Sequence, residues 1–173
     1  MNLYKGKISK DEHLKKILRA FKCPSNKEFF DAFAGVFREN YSNIKINKRV
    51  RPVLNSLRKK NIKIGVLTDT FASEKKKREY FESIGLARFF DVVSCSSETG
   101  FTKDQKESYQ DILRKLNLEP SESVFVGHKE YEMDGARKAK VRSISIIKGK
   151  GEDYFLSNLS KLGDLILKPE LLT

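Results

Sequence analysis

The 173-residue chain has 39% hydrophobic and 10% aromatic side chains, enough to bury a core and too apolar for a disordered segment. No apolar run approaches the roughly 20 residues of a membrane helix, and basic Met1 to Lys10 has no apolar stretch after it, so a cytoplasmic protein without a signal peptide is expected. The net charge of +12 is uneven: residues 1–78 carry 21 basic and 7 acidic side chains, residues 79–173 carry 14 and 16.

In chain order, Leu14, Ile17, Leu18 and Phe21 fall on one face of a helix over Asp11 to Phe21, which Cys23-Pro24 ends. Ser25 to Glu28 is a capping-box pattern opening a second helix with Phe29, Phe30, Phe33, Val36 and Phe37 on it. Asn40 to Asn47 is polar and turn-like, and a third helix runs through Val50, Val53, Leu54 and Leu57 with Pro52 in its first turn. From Asn61 the pattern changes to alternation. Strands are expected at Ile62 to Thr68, Phe89 to Ser94, Ser123 to Gly127 and Ser143 to Ile147. Helices are expected between them at Ser73 to Ser83, Asp104 to Leu116 and Glu130 to Ala139, with Ser73 as an N-cap and Gly85 as a stop. The tail reads as one more short helix and the apolar stretch Leu165 to Leu167. Such alternation predicts an α/β fold, a Rossmann-like parallel sheet with helices on both faces.

Ligands of such sheets bind beyond the C-terminal strand ends. That rule selects Thr68-Asp69-Thr70, the loop from Ser94 to Lys103, and Gly127-His128. Thr68 offers a hydroxyl and Lys103 a cation, a pair suited to phosphate. His128 has the chemistry of a metal ligand, a base or a phosphate acceptor, but a lone histidine is more often structural. No carboxylate pair stands at an obvious strand end. The basic clusters Lys48 to Arg51, Arg58 to Lys60 and Lys75 to Arg78 suit an anionic partner or a solvated face. No aromatics interleave with them, so nucleic acid is not the expected partner. Cys23 and Cys95 match no metal or redox spacing and read as reduced thiols.

The stretch from Val50 to Ile147 resembles the core of the haloacid dehalogenase-like superfamily, in its phosphoglycolate phosphatase-like branch. Ile64 to Asp69 resembles the second motif, which implies Thr68 as the phosphate-binding hydroxyl. Gly100-Phe101-Thr102-Lys103 resembles the third, which implies Lys103 as the phosphate-neutralising lysine, with Tyr109 as the aromatic of the following helix. Val126-Gly127 and Gly135-Ala136 frame the fourth. The resemblance implies a small helical cap at residues 1–48 and the core at residues 49–173.

The departures fall on the acids. Members of this superfamily form an aspartyl-phosphate on an Asp-x-Asp strand, and this chain has no Asp-x-Asp; Met1 to Gly6 is the nearest thing to a remnant strand. His128 stands at the degenerate fourth-motif position where an aspartate is usual, and Glu132, at the later acidic position, is a weak candidate metal ligand. Asp69 is a weak candidate nucleophile, on the wrong strand for the family geometry. The expectation is a homologue that has lost standard phosphatase chemistry and retains an anion pocket at Thr68 and Lys103. The alternatives are a magnesium-dependent phosphomonoester hydrolase whose first strand is missing from this chain, and a basic nucleic-acid-binding module. No cofactor is expected, and Mg²⁺ enters only if an acidic first motif is supplied elsewhere. A small phosphorylated ligand or a protein is the expected partner, not a membrane.

Overall fold

The computed structural model describes residues 45–70 and 72–168, together with Glu12 and Glu28. The two Phe-rich helices expected before residue 40, the cap they would build and the segment Met1 to Gly6 lie outside the described residues. No helix among the described residues is long and apolar enough to cross a membrane.

Helix α1 (Val50–Lys59) leads into strand β1 (Gly65–Thr68). Helix α2 (Glu74–Ser83) follows, capped by the Ser73 hydroxyl, which accepts the Lys76 N–H. It ends at Gly85, whose φ of +66° places it in the left-handed region that suits glycine. Strand β2 (Val92–Cys95) runs directly into the short α3 (Ser96–Thr99). Helix α4 (Lys106–Leu116), strand β3 (Val124–Gly127), helix α5 (Glu130–Lys138) and strand β4 (Arg142–Ser145) complete the alternation.

The first two strands are shorter than the sequence suggests. Ile62 to Ile64 precede the ladder, and the Ile64 N–H is taken by the Asp91 carboxylate. Ala87 to Phe89 forms a 3₁₀ turn before β2. The tail also differs from the expected helix and apolar stretch. It adds a strand, β5 (Tyr154–Phe155), before a 3₁₀ turn and α6 (Leu162–Leu165). Asp153 accounts for the added strand: its carboxylate accepts both the N–H and the hydroxyl of Ser143, seating the chain against β4.

All observed pairings are parallel, in two ladders, β1-β2 and β3-β4-β5. The two ladders share their faces. One core gathers Val53 and Leu57 of α1 and Leu162 of α6 around Ile144, with Ile64, Val124 and Val126 packed on it. The other gathers Tyr109 and Leu113 of α4 with Ala136 of α5, with Leu67 and Phe125 packed on it. The alternation is strict: Val124 and Val126 face one core and Phe125 the other, as strand geometry requires. Tyr109 and Phe125 meet edge to face at 5.1 Å, so α4 reaches from the first ladder to the second. The architecture is a parallel α/β sheet with helices on both faces, as expected.

Part of the basic excess is structural. Arg58 forks onto Asp91, Arg51 donates to the carbonyls of Ile84 and Gly85 behind α2, and Arg78 pairs with Glu74. Cys95 is buried, and loss of solvation raises its thiol pKa to about 11, so it stays protonated.

Candidate functional site

The C-terminal ends of β1 and β3 open towards one cluster. Thr68 ends β1, paired with Cys95 of β2. The next residues are fixed by the buried Ser96 hydroxyl, which accepts the Thr70 N–H at 2.9 Å and lies 3.2 Å from the Thr70 carbonyl. Asp69 is thereby aimed at the loop before α4, where its carboxylate accepts the Lys103 backbone N–H at 3.1 Å. The Lys103 ammonium turns the other way and pairs with Glu132 at 2.8 Å.

Glu132 is the most constrained group in the cluster. Its side chain is 2% exposed, and Lys103 takes one oxygen. The other accepts the N–H groups of His128 and Lys129 at 2.9 and 3.0 Å, which ties the first turn of α5 to the end of β3. Burial opposes its charge, but the His128 N–H, the Lys103 ammonium and the Lys129 N–H together outweigh burial and hold its carboxyl below the usual range. Asp69 shifts the other way. Burial raises its pKa more than the Lys103 N–H and ammonium lower it, and Asp104 and Glu132 add repulsion. The His128 ring is half-exposed, with Nδ1 3.5 Å from Glu132.

Two further residues hold this arrangement. The Tyr109 hydroxyl lies 2.6 Å from the Glu132 carbonyl and 3.1 Å from that of Lys103, joining the two sides of the cluster. Gly135 packs against the Lys103 loop so tightly that a Cβ there would sit 1.8 Å from the Lys103 carbonyl oxygen. Sequence reasoning placed Gly135 in a motif without seeing this close approach, and it passed over Ser96. It also found no carboxylate pair. The fold makes one by bringing Asp69 and Glu132, 63 positions apart by their numbers, to the two ends of Lys103.

Asp69, Lys103, Glu132 and His128 therefore come together; Thr68 shares the strand end, and no hydrogen bond joins it to Lys103 among the described residues. Among those residues, no three histidine, cysteine or carboxylate side chains form a metal-binding group. Glu132 spends both oxygens on donors of this chain, and its neighbour at the strand end is a histidine. This donor set does not fit magnesium, which prefers several hard oxygen ligands and its own waters.

In an open parallel α/β sheet ligands bind beyond the C-terminal strand ends, and here a lysine, a threonine and two carboxylates stand there. Residues 7–146 match the family model of the haloacid dehalogenase-like hydrolases, and the chain belongs to that family. It is 31% identical over 105 residues to a glyceraldehyde 3-phosphate phosphatase of Methanopyrus kandleri, covering 60% of this chain and 44% of that protein. It is 28% identical over 141 residues to the enzyme of the same name from Methanocaldococcus jannaschii, covering 73% and 60%. The chain thus spans about half the length of these curated relatives. A haloacid dehalogenase-family phosphatase from Thermococcus onnurineus superposes with a TM-score of 0.69 at 20% identity, covering 88% of this chain and 70% of that one. A β-phosphoglucomutase-like structure from Thermotoga maritima gives 0.72 at 18%, covering 94% and 79%. At these identities the structural likeness shows the fold.

Proposed function

We propose that this chain is a haloacid dehalogenase-like hydrolase homologue whose own residues do not carry out the standard aspartyl-phosphate reaction, and which retains a weak anion pocket at Thr68 and Lys103. The observation that carries this reading is the Lys103–Glu132 pair. Phosphoryl transfer is catalysed by positioning a nucleophile and stabilising charge on the transferred group. Here the cation at the strand ends is already neutralised by Glu132, and Asp69 adds a second carboxylate beside it. A phosphate approaching Thr68 meets no net positive charge. Asp69 is engaged through its carboxylate with the Lys103 N–H, which suits a loop anchor better than an attacking group.

Titration with inorganic phosphate tests the pocket. Binding is expected in the millimolar range, lost in Lys103→Met and strengthened in Asp69→Asn, which removes a negative charge and keeps an oxygen for the Lys103 N–H. Unchanged affinity in Lys103→Met removes the pocket from the proposal.

A second reading is favoured by one observation, the half-length match to phosphatases. On that reading these residues are one part of a magnesium-dependent phosphomonoester hydrolase, completed by an acidic strand from outside this sequence. The added carboxylates would hold the metal, and the metal's charge would offset the excess of carboxylates around Lys103. Magnesium-dependent phosphate release that appears only with such a segment present distinguishes it from the first reading.

A further inference from the structure

The loop between β4 and β5 closes on a carboxylate of its own. It leaves the C-terminal end of β4 beside the candidate site, where the Ile146 N–H donates to the carbonyl of Gly127, the residue before His128. From Lys148 to Glu152 the sign of φ alternates: Gly149 and Gly151 lie at +79° and +73°, while Lys148, Lys150 and Glu152 are negative. Such alternation turns successive N–H groups towards one centre and makes an anion-binding concavity. Here the centre is filled from within. The Glu152 carboxylate accepts the N–H of Gly149 at 3.0 Å and that of Lys150 at 2.6 Å. Its own N–H joins that of Gly149 and that of Lys150 in holding the carboxyl below the usual range. Arg137 of α5 anchors the loop by donating to the Gly151 carbonyl at 2.7 Å. Glu122 and Glu132 also accept N–H groups three or four residues back, but each caps a helical turn. Glu152 caps none, because the chain runs on through Asp153 into β5.

We propose that the loop from Lys148 to Glu152 is a second anion site, a backbone nest that takes a phosphate group once the Glu152 carboxylate swings out. The ligand class follows from the donors. Converging N–H groups flanked by the Lys148 and Lys150 side chains suit an anion with several acceptor oxygens. A phosphate monoester presents three such oxygens and about −1.5 to −2 charges, so it outcompetes a single carboxylate. Glu152 is then a tethered competitor, which lowers the apparent affinity by the fraction of time the nest stands open. Gly149 and Gly151 are exposed, so the carboxylate leaves into solvent without stranding a buried charge. That separates this loop from Lys103, whose partner Glu132 is buried. The proposal goes beyond the Thr68–Lys103 pocket and does not depend on it.

The test is an NMR titration of the full chain with inorganic phosphate at constant ionic strength, read at the Gly149 and Lys150 amides. The His128 and Lys129 amides report the first pocket in the same spectra, so the two sites fail separately. Glu152→Ala, which opens the nest, should give saturable shifts at both loop amides, with an affinity about tenfold or more above that of the unaltered chain. Adding Gly149→Val should remove them. A Cβ at Gly149 meets no described atom within 4 Å, so this change acts through the positive φ that a branched residue resists. In the unaltered chain, saturating phosphate should move the Glu152 carboxyl signal to that of a solvated glutamate. Matching shifts with methyl phosphate identify an esterified phosphate as the ligand, and shifts with inorganic phosphate alone identify the free ion. No saturable shift in Glu152→Ala overturns the proposal and leaves Glu152 as a loop staple. A response that survives Gly149→Val, or that chloride reproduces, overturns it too, because it is screening of the two lysines.

Discussion

Lys103 is held by its backbone to Asp69 and by its side chain to Glu132, and the two carboxylates differ in what they cost. Removing one partner of a buried pair strands the other, at about 3–5 kcal/mol. Glu132→Gln is therefore expected to lose stability of that order in urea denaturation at neutral pH. Its pH dependence follows from the lowered carboxyl. The Glu132 contribution is complete above its unfolded pKa, near 4.5, and is lost as pH falls through the lower folded value. The variant should lack that part of the acid limb. Asp69 runs the opposite way: its raised pKa makes its charge a cost to the fold at neutral pH, absent once acid protonates it. Asp69→Asn should leave the midpoint unchanged or raised. Gly135→Ala has no room beside the Lys103 carbonyl and should cost about 1–3 kcal/mol by overpacking.

At the scale of elements, Ser96 at the start of α3 fixes the strand end that carries Thr68 and Asp69. Its hydroxyl is buried against the Thr70 backbone, so Ser96→Ala leaves the Thr70 N–H without that acceptor and should cost about 1–3 kcal/mol in the unfolding midpoint. The alternating strands and helices were legible because each carries its own signal: the apolar spacing of Tyr109, Ile112 and Leu113, the Ser73 cap, the Gly85 stop. What depended on distant partners was not. The start of β1 is set by Asp91, β5 by the Asp153–Ser143 bonds, and the carboxylate pair by loops that only the fold brings together. Thr68, Lys103 and Glu132 were identifiable as positions from family spacing. That Glu132 neutralises Lys103 was not, because the pairing spans 29 residues and depends on how α5 seats against the Lys103 loop.

At the scale of the whole molecule, two parallel ladders share two apolar cores, with a cavity of about 410 Å³ lined by residues of β1, β3, α1 and α4. Lys103, Glu132 and His128 of the candidate site also line this cavity. The central claim is that this chain's own residues do not assemble the phosphatase reaction. The most direct test is phosphate release by the purified full chain from a panel of small phosphomonoesters, with and without magnesium. The account predicts no release above a Lys103→Met control in either condition. Magnesium-dependent turnover abolished by Asp69→Asn would contradict it and make Asp69 a nucleophile.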